Sequence, residues 1–340
     1  MVCSMPLAVS SSESGPREPG SGPRGSGVLL ASKFHPPDPR REWVPRQRLV
    51  HRLAASDAKL ALVQAPAGFG KTIAVAQWRA AEIPDRAFAW VSLDPADDDP
   101  VRLWSHIVSS LQRACPGFAG QDLLALLRVQ VPDIPGRLVP ALVNALAGLG
   151  ERAVLVLDDF HLVRARRCHE QIESLLASLL PPVKIVIISR TVPPLQVARL
   201  RAAGEMTEIG MRELRFMPEE AAGLIGAVAG SPLSQGDLAE LVESTEGWPA
   251  ALYLAALSLR SQPDPGAFVH EFTRGNRYVA DYLLEEVISR QPEHVVRFLT
   301  DTAILDRFTA ELCDAVTGRT DAAEIIDTLE RENLFLMALD

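Results

Sequence analysis

Short apolar runs alternate with longer amphipathic segments between Leu60 and Ile188. Each run is bounded by polar or turn-forming residues, which is typical of strands that are covered on both faces. The segments between the runs are long enough for the crossover helices that join parallel strands. The pattern therefore predicts an α/β fold with a parallel sheet and helices on both faces. The predicted strands are Leu60–Val63, Ala87–Leu93, Ala153–Leu157 and Val183–Ile188.

Beyond Arg212 the strand pattern fades and helical segments follow one another. Pro249 suits the first position of one of these helices, because that position needs no N–H donor. A final apolar run, Asn333–Leu339, reads as a strand with no later partner, so we expect the chain to stop inside a domain. The predicted helices are Pro218–Val228, Asp237–Ser244, Ala250–Arg260, Phe268–Ser289, Pro292–Leu305 and Asp321–Glu332.

A glycine turn between the first predicted strand and a helix carries the strongest motif in the chain. The segment Ala65-Pro-Ala-Gly-Phe-Gly-Lys-Thr72 has the arrangement of a P-loop, in which backbone N–H groups converge on phosphate oxygens at a helix N-terminus. Lys71 would reach the β- and γ-phosphates and Thr72 would hold Mg²⁺. The motif asks for glycine where this chain has Ala65. A plain glycine turn with a surface lysine is the alternative, and the flanking strand and helix disfavour it.

An acid pair and an arginine follow two later strands. Asp158 and Asp159 come directly after Ala153–Leu157, and Arg190 follows the next predicted strand. The carboxyl ends of parallel strands meet at one edge of the sheet. We therefore expect Asp158 to hold Mg²⁺ together with the P-loop, and Asp159 to orient or deprotonate the attacking water. Arg190 would reach a γ-phosphate, or it is an ordinary surface arginine.

Composition narrows the function further. A net charge of −9 disfavours nucleic-acid binding by this segment, because phosphate backbones require a basic face. The four cysteines lack metal-ligand spacing, which favours reduced thiols in the cytoplasm, and no apolar run is long enough for a membrane span. Residues 1–31 are rich in Ser, Gly, Pro and Arg, which predicts disorder. The acids Asp97 to Asp99 are interpreted as the start of a helix rather than a metal site.

Together these motifs resemble the MalT-like large ATP-binding regulators of the LuxR family, which belong to the STAND class of signalling NTPases. The resemblance covers roughly Ser32 to Asp340. Relatives often have Ala or Ser at the place of Ala65, and many have a second Thr where this chain has Ile73. The segments that carry it are KFHPP, WVPRQRLVHRL, QAPAGFGKT, WVSLDPADDDP, VLVLDDFHLV, IVIISR, EGWPAALYLAAL, DYLLEEV, LCDAVTG and LERENLFL.

The resemblance implies a fold and a domain order. We expect a P-loop NTPase domain over residues 32–210, a helical lid domain over 211–267 and an incomplete, truncated winged-helix domain over 268–340. It also implies roles for single residues. Val44 and Arg46 would edge the adenine pocket, Arg190 would be a sensor arginine, and Pro249 would pack on the base or ribose. The remaining expected nucleotide-binding residues are Ala67, Gly68, Phe69, Gly70, Lys71 and Thr72.

The resemblance further implies a switch. ADP with Mg²⁺ would lock an inactive monomer, whereas an inducer and ATP would open it to self-association, with slow ATP hydrolysis. Lys71, Asp159 and Arg190 would serve the hydrolysis. The family's inducer sensor and DNA-binding helix-turn-helix are expected to be missing here, so we expect this fragment to bind nucleotide, with no direct contact to DNA or membrane.

Two other interpretations stay open on the sequence. A metabolic P-loop enzyme, such as a small-molecule kinase, would use the helical part as a substrate lid and would turn over ATP steadily with one acceptor. A degenerate scaffold would bind nothing, which the intact Lys71, Thr72, Asp158 and Asp159 disfavour.

Overall fold

Five parallel strands form one sheet in the part of the chain that the structure describes, with the order β2-β3-β4-β1-β5. The structure is a computed structural model that describes residues 30–38, 40, 43–83, 86–149, 152–230, 232–273, 291–305 and 308–331. The expected disorder of residues 1–31 falls almost wholly outside these ranges. The strands are β1 (Leu60–Gln64), β2 (Ala87–Ser92), β3 (Ala153–Asp158), β4 (Lys184–Ser189) and β5 (Met206–Ile209).

Successive strand residues point to opposite faces of the sheet, and helices cover both faces. In β1, Ala61 and Val63 pack with helices α1 and α2, whereas Leu60 and Leu62 pack with helices α3 to α6 on the other side. The predicted parallel sheet with two covered faces is confirmed. The helices of this part are α1 (Gln47–Ala54), α2 (Lys71–Glu82), α3 (Pro100–Ala114), α4 (Gly120–Leu127), α5 (Val139–Ala147), α6 (Arg166–Ser178), α7 (Ala198–Ala202) and α8 (Met211–Leu214).

Of the three acids expected to start a helix, Asp99 caps α3, whereas Asp97 and Asp98 end the preceding short helix Pro95–Asp98 and Asp97 joins a buried ion network. Asp99 caps α3 by accepting a hydrogen bond from the Arg102 N–H at 2.9 Å. Asp97 is fully buried, where its carboxylate pairs with the Lys33 ammonium and lies 2.7 Å from Nδ1 of His106. This network joins the segment Ala31–Phe34 to α3 and to the turn before it.

Four further helices pack together beside the sheet. Their shared cluster includes Leu224 and Ile225 from the first, Leu241 from the second, and Val269 and Phe272 from the fourth. The predicted helix Phe268–Ser289 begins earlier than expected, since the described helix is Pro265–Phe272, and residues 274–290 of that prediction lie outside the described ranges. The four helices are α9 (Pro218–Ala229), α10 (Gln235–Ser244), α11 (Pro249–Leu259) and α12 (Pro265–Phe272).

Three helices within the described residues 291–305 and 308–331 share a small core of their own. Val295 and Phe298 pack against Cys313, Ile325 and Leu329. The predicted strand Asn333–Leu339 lies outside the described residues. No helix in the described ranges is both long and apolar enough to cross a bilayer. The helices are α13 (Glu293–Thr302), α14 (Ala310–Thr317) and α15 (Ala322–Arg331).

Candidate nucleotide-binding site

The turn between β1 and α2 has the backbone of a phosphate-binding loop. Gly68 has φ 79° and Gly70, the residue before α2, has φ 71°. Side chains disfavour both conformations, so the two glycines are required where they stand. Ala65 is buried, and the residues other than glycine with positive φ in the described ranges are Asp159 and Glu246. Alanine is therefore compatible with the loop at position 65.

Lys71 begins α2 and folds back over the loop. Its Nζ donates hydrogen bonds to the carbonyl oxygens of Ala65 at 2.7 Å and Pro66 at 2.8 Å. Burial and, after it, the positive charge of Arg190 lower the pKa of Lys71 to about 8, against the opposing effect of the Asp159 and Asp158 carboxylates. These four charged residues therefore lie close enough to share one electrostatic environment.

Thr72 and Asp158 meet at the carboxyl edge of the sheet. The Thr72 hydroxyl donates a hydrogen bond to Oδ1 of Asp158 at 3.1 Å. The Asp158 residue is 4% exposed, and burial together with the charge of Asp159 raises the pKa of its carboxyl to about 7, against the hydrogen bond from Thr72. A buried carboxylate of this kind is stabilised by a cation.

The donor set at this edge fits Mg²⁺. A hydroxyl and a carboxylate are the oxygen ligands that Mg²⁺ takes in nucleotide sites, where water and phosphates complete its coordination. The described part of the chain holds no cluster of three or more His, Cys, Asp or Glu residues suited to a metal ion. Because Mg²⁺ takes six oxygen ligands, a metal held by Thr72 and Asp158 would take the others from water and phosphate.

Asp159 turns away from the sheet toward solvent. It has a left-handed backbone with φ 57°, its N–H donates to Asp158 Oδ1 at 3.0 Å, and 46% of its side chain is exposed. The Nδ1 atom of His161 lies 4.0 Å from its carboxylate, a neighbour that the sequence did not indicate. Asp159 is therefore the acid of the pair that a solvent molecule can reach.

Arg190 comes directly after β4, which lies between β3 and β1 in the sheet. The last residue of β4, Ser189, is paired with Gln64 at the end of β1. Arg190 is partly buried, and its charge acts on Lys71, as described above. The structure therefore brings this arginine to the same sheet edge as the loop and the acid pair.

Arg46 lies at the boundary between the P-loop domain and the α9–α12 helices. It is 2% exposed, its guanidinium donates to the Arg215 carbonyl at 2.9 Å, and it lies 4.6 Å from the centre of the Phe216 ring. Burial lowers its pKa to about 10, against the charge of Glu220. Val44 packs against the hydrophobic cluster of the same helices. Both residues thus occupy the boundary where the sequence resemblance expects a base to bind.

Pro249 is buried at the first position of α11, as predicted. The next N–H, from Ala250, donates to the Gly68 carbonyl at 3.1 Å. The indole of Trp248 donates to the Ala67 carbonyl at 3.3 Å. The start of α11 therefore rests directly on the phosphate loop. Trp248 is a site residue that the sequence analysis missed, because an isolated tryptophan in a helical region is usually a core residue.

Known proteins are similar to this chain in sequence and in fold. The HTH-type transcriptional regulators MalT of Yersinia enterocolitica and Yersinia pestis are each 31% identical over 317 residues, which covers 92% of this chain and 35% of theirs. The expected resemblance to MalT-like regulators is confirmed over most of this chain. Residues 284–340 match the family described as the MalT winged helix domain. The chain spans about a third of the length of these curated relatives.

A solved structure supports the fold of this chain. The Walker-type ATPase PABY2304 of Pyrococcus abyssi superposes with a TM-score of 0.56 at 16% identity, and the match covers 88% of this chain and 92% of that one. This likeness concerns the fold alone. The expected fold class, a P-loop NTPase with a parallel sheet followed by helices and a winged-helix region, is confirmed.

Proposed function

We propose that this chain is the ATP/ADP-binding module of a MalT-like transcriptional regulator of the LuxR family, and that the bound nucleotide acts as its switch. The observation that carries this proposal is the hydrogen bond from Thr72 to Asp158 beside the P-loop lysine. It joins a phosphate loop and a metal-binding carboxylate, which are the two parts that a magnesium nucleotide requires. The similarity to MalT regulators supports a signalling role over a metabolic kinase.

Each residue of the site has a part in this proposal. The amides from Ala67 to Gly70 and the ammonium of Lys71 bind the phosphates, and Arg190 detects the γ-phosphate. Thr72 and Asp158 hold Mg²⁺, which neutralises phosphate charge when it is bound. Asp159 orients or deprotonates water, in keeping with its exposed side chain. Hydrolysis is slow, since the role of ATP here is to define a state rather than to drive turnover.

The domains that act in this switch are a P-loop domain over residues 32–210, a lid over 211–267 and a winged-helix domain over 268–340. The packing of Val269 and Phe272 with α9–α11 supports extending the lid to the end of α12. Val44, Arg46 and Pro249 contact the base or ribose at the boundary between domain and lid. ADP closes these domains in a monomer, and ATP with an inducer opens them to self-association.

The proposed partners follow from the same switch. The net charge of −9 supports a module that binds nucleotide and does not bind DNA directly. The inducer and the DNA contact belong to other parts of such a regulator. We place the protein in the cytoplasm, where a bacterial transcription regulator meets its DNA.

Titration with a fluorescent ADP analogue tests the proposed function. The parent chain should bind it, unlabelled ADP should compete, and Lys71→Ala should abolish binding because the loop then lacks its cation. Lys59→Ala is the matched control, since Lys59 pairs with Glu205 outside the site and its loss should leave the affinity unchanged. Unchanged binding in Lys71→Ala would contradict the proposal that the P-loop binds the nucleotide.

A further inference from the structure

The lid is fastened to the backbone of the phosphate loop by two neighbouring donors. The Trp248 indole N–H donates to the Ala67 carbonyl at 3.3 Å, and the Ala250 N–H donates to the Gly68 carbonyl at 3.1 Å. The Trp248 ring also lies against the Phe69 ring, with 6.4 Å between their centres. The lid thus contacts three consecutive residues of the loop, Ala67 to Phe69.

The contact is close enough to require glycine on the loop side. A Cβ atom at Gly68 would lie 2.7 Å from Cβ of Ala250 and 2.8 Å from Nε1 of Trp248. Both distances are shorter than a carbon atom can tolerate, so even a methyl group would separate lid and loop. Gly68 therefore serves the lid contact as well as the left-handed turn.

These two hydrogen bonds decide which way the loop amides point. In a trans peptide, the carbonyl and the following N–H lie on opposite sides of the bond. A donor on the Ala67 carbonyl therefore turns the Gly68 N–H away from the lid, and a donor on the Gly68 carbonyl does the same for the Phe69 N–H. Amides of this loop are the groups that bind phosphate.

The turn that presents Trp248 is held rigidly. Glu246 and Gly247 both have positive φ, 50° and 68°. The Gly247 carbonyl accepts a hydrogen bond from the Phe216 N–H at 2.8 Å, and the Glu246 carboxylate pairs with Arg215 at 2.6 Å. A strained turn that is fixed on both sides fits a positioning role.

We propose that Trp248 is a positioning residue for nucleotide: its indole N–H, with the start of α11, sets the orientation of the Gly68 and Phe69 amides and couples lid seating to phosphate affinity. This inference rests on the proposed function. The lid contact and the nucleotide then stabilise the same loop conformation, so loss of one weakens the other.

Two measurements on Trp248→Phe test this proposal. Phenylalanine keeps a ring beside Phe69 but removes the donor. Without nucleotide, the Ala250 amide, which donates to the Gly68 carbonyl, should exchange hydrogen about three- to tenfold faster than in the parent, because a less firmly seated lid exposes it more often. MgADP should bind about three- to tenfold more weakly, as expected for one lost hydrogen bond. Trp248→Ala should lower the affinity further. Trp104→Phe, which removes an indole donor to Gln171 on the other face of the sheet, should change neither value.

Equal exchange rates in parent and Trp248→Phe would overturn the proposal, and so would an equal or higher affinity for MgADP. A higher affinity would mean that the indole blocks the site instead of shaping it. A parent chain that fails to bind MgADP would contradict the proposed function, whereas the exchange rates test the lid contact without nucleotide. The two failures are therefore distinguishable.

Discussion

The hydroxyl of Thr72 and the carboxylate of Asp158 are separated by 86 positions in the chain and by 3.1 Å in space. The hydroxyl belongs to the first turn of α2, and the carboxylate ends a strand two places away from β1 in the sheet. A parallel sheet makes this meeting possible, because its strands end at one edge. The predictions below follow from this pair and from the contacts around it.

Asp159→Asn should leave nucleotide affinity unchanged and slow ATP hydrolysis by roughly a hundredfold or more, the usual share of a general base. Asparagine tolerates the left-handed backbone of this position, so the variant tests chemistry without strain. Single-turnover hydrolysis beside an ADP titration measures both effects. Hydrolysis at the parent rate would show that Asp159 is structural only.

The affinity for MgADP should pass through a maximum between about pH 7 and pH 8. Below it, Asp158, whose pKa is about 7, gains a proton and loses its attraction for the metal. Above it, Lys71, whose pKa is about 8, loses the charge that binds phosphate. On each side of the maximum, the affinity for MgADP should fall by about tenfold per pH unit. Calorimetry from pH 6 to 9 measures this profile, and EDTA should remove the acidic limb. A flat profile would contradict the assigned roles.

Glu220→Gln should loosen the lid. The Glu220 carboxylate accepts hydrogen bonds from Arg48 at 3.1 and 3.0 Å and lies 3.4 Å from the buried Arg46 guanidinium. Hydrogen bonds to charged groups contribute about 1.5–3 kcal/mol, and the variant should lose that much free energy of unfolding. Glu219→Gln, on the exposed side of the same turn, is the control and should stay within about 0.5 kcal/mol of the parent. Urea unfolding measures the stability of the parent and both variants. Equal midpoints for the parent and Glu220→Gln would contradict a stabilising role for the contact of Glu220 with Arg46 and Arg48.

Asp97→Asn should destabilise the fold by about 1.5–3 kcal/mol, because it removes the buried carboxylate that Lys33 and His106 share, whereas Lys33 keeps the partly exposed Asp94 at 2.8 Å. Burial alone would raise the pKa of Asp97, but hydrogen bonds from His106 and Lys33 outweigh it and lower the pKa to about 2. A depressed pKa stabilises the folded state above the unfolded value near 3.8, so this contribution should fade as the pH drops from about 4 to about 2.

Unfolding at several pH values checks this contribution. The difference between parent and Asp97→Asn should shrink in that acid window. Asp122→Asn, an exposed acid in the first turn of α4, should show neither the destabilisation nor the pH dependence. A constant difference from pH 7 to pH 2 would show that the charge of Asp97 is not what matters.

The central strands could be predicted because burial on both faces leaves an unbroken apolar run in the sequence. Strand β5 was missed for the opposite reason, since Ile209 is its one buried residue and Thr207 and Glu208 are polar. The apolar segment over residues 134–147 is divided in the structure into a wide turn, Ile134–Leu138, and α5. Pro140 has no N–H to continue the earlier turn, and that signal was present in the sequence.

The site could be predicted only where the chain carries a local motif. The P-loop and the acid pair follow strands, so their meeting was expected from strand ends alone. The lid contact was not, because Trp248 approaches Ala67 from 181 residues further along the chain. Its role depends on how the start of α11 packs against the phosphate loop, and the spacing of apolar residues in the sequence does not specify that packing.

The dependence of ADP affinity on Mg²⁺ tests the central claim most directly, namely that the loop and the acid pair form one magnesium-nucleotide site. Calorimetry of ADP with Mg²⁺ and with EDTA should show binding at least about tenfold tighter with Mg²⁺ in the parent, as one charged ligand contact requires. Thr72→Val and Asp158→Asn should lose that difference, and Thr72→Ser, which keeps the hydroxyl, should retain it. An affinity for ADP that ignores Mg²⁺ in the parent, or no affinity at all, would contradict the account.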